Sequence, residues 1–72
     1  MLEKVILFES TRHAIRAEKI LKEAGLAIKV IPTPRKYSSN CGVSISFSEN
    51  EADRITALLK ERAVPFSGPF DL

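Results

Sequence analysis

Apolar residues fall into two rhythms along this chain, and the rhythms alternate. Leu2 to Phe8 is rich in Val, Ile, Leu and Phe, which predicts a strand covered on at least one face. Ser10 or Thr11 then stands where a helix cap belongs. Ala14, Ala17, Leu21 and Ala24 follow at spacings of three and four, with Ile20 beside them, and Gly25 supplies the stop. Ala27 to Ile31 predicts a second strand, with Lys29 pointing away from Ile28 and Val30. Val43-Ser44-Ile45-Ser46-Phe47 alternates cleanly, the pattern of a strand with one buried and one wet face. Ser48 and Glu51 have the spacing of a capping box. Ala52, Ile55, Leu59 and Ala63 form the apolar stripe of a second helix, widened by Leu58. Pro65 to Phe70 contains two prolines, so a strand there is short and lies at a sheet edge.

Strand, helix, strand, strand, helix, strand is the order of an α+β ferredoxin-like βαββαβ two-layer sandwich. Its antiparallel four-stranded sheet has the strand order 4-1-3-2, which leaves the proline-bearing fourth strand at an edge. No linker interrupts the elements, so residues 1–72 read as a single domain. Both helices cover one face of the sheet. The other face shows Ser44 and Ser46 beside Val5 and Leu7, and is expected to be a modest wet surface in preference to a dimer contact.

Composition narrows the class without naming a chemistry. A chain of 72 residues, 44% hydrophobic and 28% charged, is an ordinary globular domain, too small to enclose a large substrate cavity. Eleven basic and nine acidic residues leave a formal charge of +2, too balanced to call for nucleic acid or an anionic membrane. The single cysteine excludes an internal disulfide and suits a reducing compartment. No apolar run approaches the roughly 20 residues that span a bilayer, and the start of the chain lacks the pattern of a signal peptide. A cytoplasmic location is expected.

The connection between the second and third strands is where the chain departs from a plain scaffold. A hairpin needs two to five residues; Pro32 to Gly42 spends 11. Pro32 and Pro34 stiffen it and push Ile31 and Thr33 toward extended geometry. Tyr37 can anchor it through its ring. Ser38, Ser39 and Asn40 offer short side chains to backbone or to an anion. Gly42 allows a positive φ, or lets another molecule approach closely beside Cys41. Only a few per cent of an ordinary thiol is ionised at neutral pH. Arg35 or Lys36 nearby, or the amides of the 38–42 turn, would raise that fraction.

Other chemistries are quickly excluded. His13, the only histidine, begins the first helix, which is expected at the sheet end opposite to where the third strand starts; no base therefore completes a dyad with Cys41. One cysteine and one histidine do not make a structural zinc site, the three glycines form no phosphate loop, and no cofactor is called for. Ser44 and Ser46 stand where RNA-recognition sheets carry stacking aromatics, which disfavours RNA.

The run Phe8-Glu9-Ser10-Thr11, then Ile31-Pro32-Thr33-Pro34-Arg35, then Ser38-Ser39-Asn40-Cys41-Gly42 resembles the selenium/sulfur carrier-like family of small bacterial proteins. The resemblance covers nearly the whole chain. It implies a group carrier, not a self-sufficient enzyme, with Cys41 holding a persulfide or perselenide steadied by Arg35, Ser38, Ser39, Asn40 and Gly42. A cysteine desulfurase or selenocysteine lyase would be the donor, and a TusA-like or selenium-pathway protein the acceptor. The chain departs from the TusA-like pattern, in which cysteine precedes Pro-x-Pro at a helix start. The contrasting reading is a regulatory module that binds a small ligand or partner through the basic loop 32–42, with Cys41 structural or redox-sensing. Either way a monomer or weak dimer is expected.

Overall fold

The computed structural model describes residues 3–37 and 42–72. Its elements are β1 (Lys4–Leu7), α1 (Thr11–Glu23), β2 (Ile28–Pro32), β3 (Val43–Phe47), a 3-10 turn at Glu49–Glu51, α2 (Ala52–Glu61) and β4 (Ser67–Asp71). The strands form one antiparallel sheet in the order β2-β3-β1-β4, which from the other edge reads 4-1-3-2. The chain is thus an α+β fold of two helices on a four-stranded antiparallel sheet.

Local chemistry explains where each helix begins and ends. The Ser10 side chain accepts from the His13 amide and caps α1. Gly25, at φ +78°, ends it: the Gly25 and Leu26 amides donate to the carbonyls of Lys22 and Leu21, and Leu26 is buried. Ala24, expected in the apolar stripe, caps the helix instead and is exposed. The expected capping box at Ser48 is replaced by the 3-10 turn, because the Ser48 hydroxyl accepts from Asn50 rather than Glu51. Ala63 lies beyond α2 at φ +57°, so it too falls outside its stripe.

Register assigns each residue to a face, since opposite residues in an antiparallel ladder share one. Ile6 and Val30 lie opposite Ile45, and Ile28 opposite Phe47. This face packs against Ala14, Ala17 and Leu21 of α1 and Ile55 and Leu59 of α2, all within one buried cluster. Burying each large apolar side chain contributes roughly 1.5–3 kcal/mol. Val5, Ser44, Ser46 and Phe70 share the second face.

Two expectations about the sheet are corrected. The second face is not wet: Ser44 is 0% and Ser46 1% exposed, and Val5 and Leu7 are buried with them. The physical reason is the connection from β2, described below, which turns back across this face. The position expected for His13 is also reversed. With Ile6 opposite Ile45 and Lys4 opposite Phe47, β1 finishes at the end of the sheet where β3 starts. The first helix follows β1, so α1 begins at that end, together with Thr33 and Gly42.

Candidate functional site

The segment Thr33–Tyr37 is a strap. At its root, the Thr33 amide donates to the Gly42 carbonyl at 3.1 Å, closing the mouth of the loop. The Thr33 and Ser44 hydroxyls lie 2.8 Å apart, and the Ser46 hydroxyl donates to the Lys29 carbonyl at 3.2 Å. Both buried serines are therefore satisfied, as burial of a hydroxyl requires. A turn follows, in which the Tyr37 amide donates to the Pro34 carbonyl at 3.0 Å. Arg35 and Lys36 occupy the turn's two central positions and are exposed.

At its far end the strap is clasped to the opposite edge of the sheet. The Tyr37 ring stacks on Phe70, with centroids 4.9 Å apart and planes inclined by 29°. Its hydroxyl donates to the Asp71 carbonyl. Phe70 lies opposite Val5, on the serine face, and β4 is three strands from β2. The strap thus crosses about 14 Å of sheet at ~4.8 Å per strand. The turn at 34–37 shortens the backbone's share, and the Tyr37 side chain spans the rest to Phe70 and Asp71. Tyr37 was expected to anchor the loop by its ring; it also does so through its hydroxyl. The Lys36 ammonium sits 5.3 Å from the Tyr37 centroid, in range of the ring's negative face.

Asp71 is the hub of the clasp. Its carbonyl receives Tyr37, and its carboxylate accepts a hydrogen bond from Lys4 of β1. That bond holds the Asp71 carboxyl below its ordinary pKa, helped by the Lys4 charge, and holds Lys4 above its own. Neither Asp71 nor the Thr33–Ser44 pair was expected from the sequence. The signal for the pair was two short hydroxyl side chains flanking the loop, each on an extended segment; Asp71 carried none.

The expected site residues divide into two groups. Arg35 and Gly42 are described, and the Thr33–Gly42 bond brings the two ends of their loop together. Ser38, Ser39, Asn40 and Cys41 lie outside the described residues. Gly42 does not adopt the positive φ allowed for it, since Gly25 and Gly68 alone do so among the described glycines. No described heavy atom lies within 4 Å of where a Cβ on Gly42 would stand. Neither backbone geometry nor packing among the described residues therefore demands glycine there. His13 is half-buried in the first turn of α1, and the distance ground for setting it aside no longer holds.

Away from the strap, the described residues form a cleft between the helices. It measures about 310 Å³ and is lined by Ala24, Leu26, Arg54, Ala57, Leu58 and Glu61, toward the end of the molecule where α1 finishes. Among the described residues no cluster of His, Cys, Asp or Glu could hold a metal ion, and no helix is long and apolar enough to cross a membrane.

The described site is thus a basic, tyrosine-clasped strap on a small α+β fold, in a loop whose sequence holds the one cysteine. The family model described as "Putative Se/S carrier protein-like" matches residues 3–70, and the chain belongs to that family. Comparison with curated proteins and with solved structures finds no match.

Proposed function

We propose that this protein carries sulfur or selenium on Cys41, taking the atom from one protein and handing it to another. Membership of the selenium/sulfur carrier family over residues 3–70 carries this reading. The strand order supports a ferredoxin-like assignment for the scaffold. In the transfer, the Cys41 thiolate attacks the outer sulfur of a donor persulfide. A new S–S bond forms, the donor's own S–S bond breaks, and the donor cysteine leaves as a thiolate. One neutral sulfur atom changes hands with no net oxidation, so no further oxidant is required. Attack by an acceptor nucleophile on the outer sulfur then restores the Cys41 thiolate; selenium follows the same steps.

The described part of the loop suits this task. Arg35 and Lys36 are exposed cations in the same loop, of the charge that favours a thiolate or persulfide anion. The open space at Gly42 suits a donor that must bring a sulfur atom alongside Cys41. A relay also needs no enclosed substrate cavity. The donor is a cysteine desulfurase or a selenocysteine lyase, and the acceptor a protein of the TusA-like or selenium-using kind.

The test is intact-mass measurement of the reduced protein after incubation with a cysteine desulfurase and cysteine. A gain of one sulfur atom, discharged by added thiol and absent in Cys41→Ser, is expected. An unmodified wild-type protein, or an adduct that persists in Cys41→Ser, overturns the assignment. Repeating the reaction with selenocysteine lyase and selenocysteine tells which element is loaded faster.

A further inference from the structure

The two edges of the sheet are built differently. The β4 edge is blunted: Pro69 has no amide to offer, Gly68 sits at φ +109°, and the pairing with β1 shifts register between Val5 and Leu7. The β2 edge is blunted less. It carries Lys29, and Pro32 at its end has no amide, but Ile28–Ile31 pair with β3 without a register shift and their outward backbone groups have no neighbouring strand. The strap leaves that edge open, because it runs inward across the second face toward β4. An edge strand that keeps outward amides, here those of Ile28 and Val30, is a template for another strand.

Two exposed apolar side chains border the same flank. Three large hydrophobics stand exposed among the described residues: Ile15 at 60%, Val30 at 40%, and Leu72. Val30 lies on the helix-covered side of β2, opposite Ile45. Arg16 of α1 faces α2, where its guanidinium donates to the Arg62 carbonyl at 3.3 Å, while Ala14, Ala17 and Leu21 face the sheet. At about 100° per residue, Ile15 then falls on the side of α1 away from α2. Since α1 lies against β2 and β3, that side overhangs the β2 edge. Ile15 and Val30 therefore border one open flank.

We propose that this flank joins a second copy of the chain, β2 pairing antiparallel with the partner's β2 about a two-fold axis at Val30. The pairing is self-complementary. Val30 meets the partner's Val30, and Lys29 lies opposite the partner's Ile31, so no lysine opposes a lysine on this strand. A register centred on Lys29 would place the two ammonium groups together, which costs stability. The helices fit the same axis. With α1 lying over β2 and β3, about half a strand spacing inside the edge, the two α1 axes come about 10 Å apart, the ordinary separation of packed helices. Glu18 and Lys22, paired at 3.0 Å on this flank, present both signs of charge to an identical surface. The result is an eight-stranded sheet with all four helices on one side. The straps lie on the other side, at opposite ends, so each loop stays accessible.

Sedimentation velocity across a concentration series up to about 1 mM, the weakest association worth assigning, tests the proposal. A monomer–dimer equilibrium is expected. Val30→Lys and Ile15→Lys should each weaken it by about tenfold or more, since each puts like charges across the axis. Both sites are exposed, and circular dichroism checks that the variants stay folded. In a Cys41→Ser background, Val30→Cys should cross-link on mild oxidation, because directly opposite Cβ atoms lie about 5 Å apart, whereas Lys29→Cys should not. A monomer throughout, a dimer indifferent to both lysine variants, or cross-linking through Lys29→Cys alone would overturn the proposal.

Discussion

The two faces of this sheet reach the same degree of burial by different means. On the helix side, Ile6, Ile45 and Phe47 meet Leu21, Ile55 and Leu59, all 0% exposed, with no polar group among them. On the strap side, Ser44 and Ser46 are as well buried, but by a hydroxyl pair, a bond to a carbonyl and one tyrosine clasped at the far edge. The first face depends on bulk that many side chains share. Among the described residues the second adds to Val5 and Leu7 a few directional contacts, each made by a named partner. Local opening is therefore expected on the strap side at much less than the free energy of global unfolding. The loop proposed above to present Cys41 therefore starts on the face that can loosen while the fold stands.

The largest effect should come from the helix side. Phe47→Ala should cost about 3–5 kcal/mol by lost transfer energy and cavity formation. That is comparable with the whole stability of a chain of this size, so its urea unfolding midpoint should collapse. A loss below about 1 kcal/mol would mean that this face is not the structural one.

Tyr37→Ala should act differently. The stack with Phe70 and the hydroxyl bond to Asp71 are together worth about 1–3 kcal/mol, and their loss should appear first as local opening. Hydrogen exchange should speed at the Thr33 amide, which closes the loop mouth, while amides of β3 that face β1 keep their protection. Tyr37→Phe retains the stack and should lose only about 1 kcal/mol. If Tyr37→Ala lowers global stability as far as Phe47→Ala does, the two faces are one cooperative unit and the distinction fails.

The same contrast explains what the sequence revealed. Val43–Phe47 was legible to the residue because its alternation is local, and the Gly25 stop because it needs only its own backbone. The stripes Ala14-Ala17-Leu21 and Ile55-Leu59 were legible for the same reason. The serines were misread because polarity indicates exposure only when no partner waits elsewhere. Thr33 is 11 positions from Ser44, and Tyr37 is 34 from Asp71, so neither contact leaves a local trace. The placement of His13 failed on topology: an antiparallel β1–β3 pair brings the start of α1 to the loop's end of the sheet. Of the candidate site, the lone cysteine and its basic neighbours were visible in composition, and the clasp that anchors their loop was not.

The smallest expected effect is a pH dependence confined to the strap side. Asp71 has its carboxyl pKa lowered chiefly by the hydrogen bond from Lys4, so its contribution is complete above the ordinary carboxylate value and is lost as pH falls through the lowered one. Lys4 is raised chiefly by the same bond, so its contribution is complete below the ordinary lysine value and is lost as pH rises through the raised one. The pair is thus intact on a plateau from about pH 4 to about pH 10. Exposure of Asp71 to solvent keeps its effect on global stability slight. Its backbone carbonyl, however, holds the Tyr37 hydroxyl, and Tyr37 is the only tyrosine in a chain without tryptophan. Intrinsic fluorescence therefore reports this clasp alone. A small change is expected below about pH 4 in the wild type, and none in Asp71→Asn, whose side chain cannot titrate. The apolar face offers nothing to protonate, so circular dichroism should stay flat over the same interval. An acid transition of equal size in Asp71→Asn would show that other carboxylates govern the strap, and that the Lys4–Asp71 pair is decoration on a clasp held by Phe70.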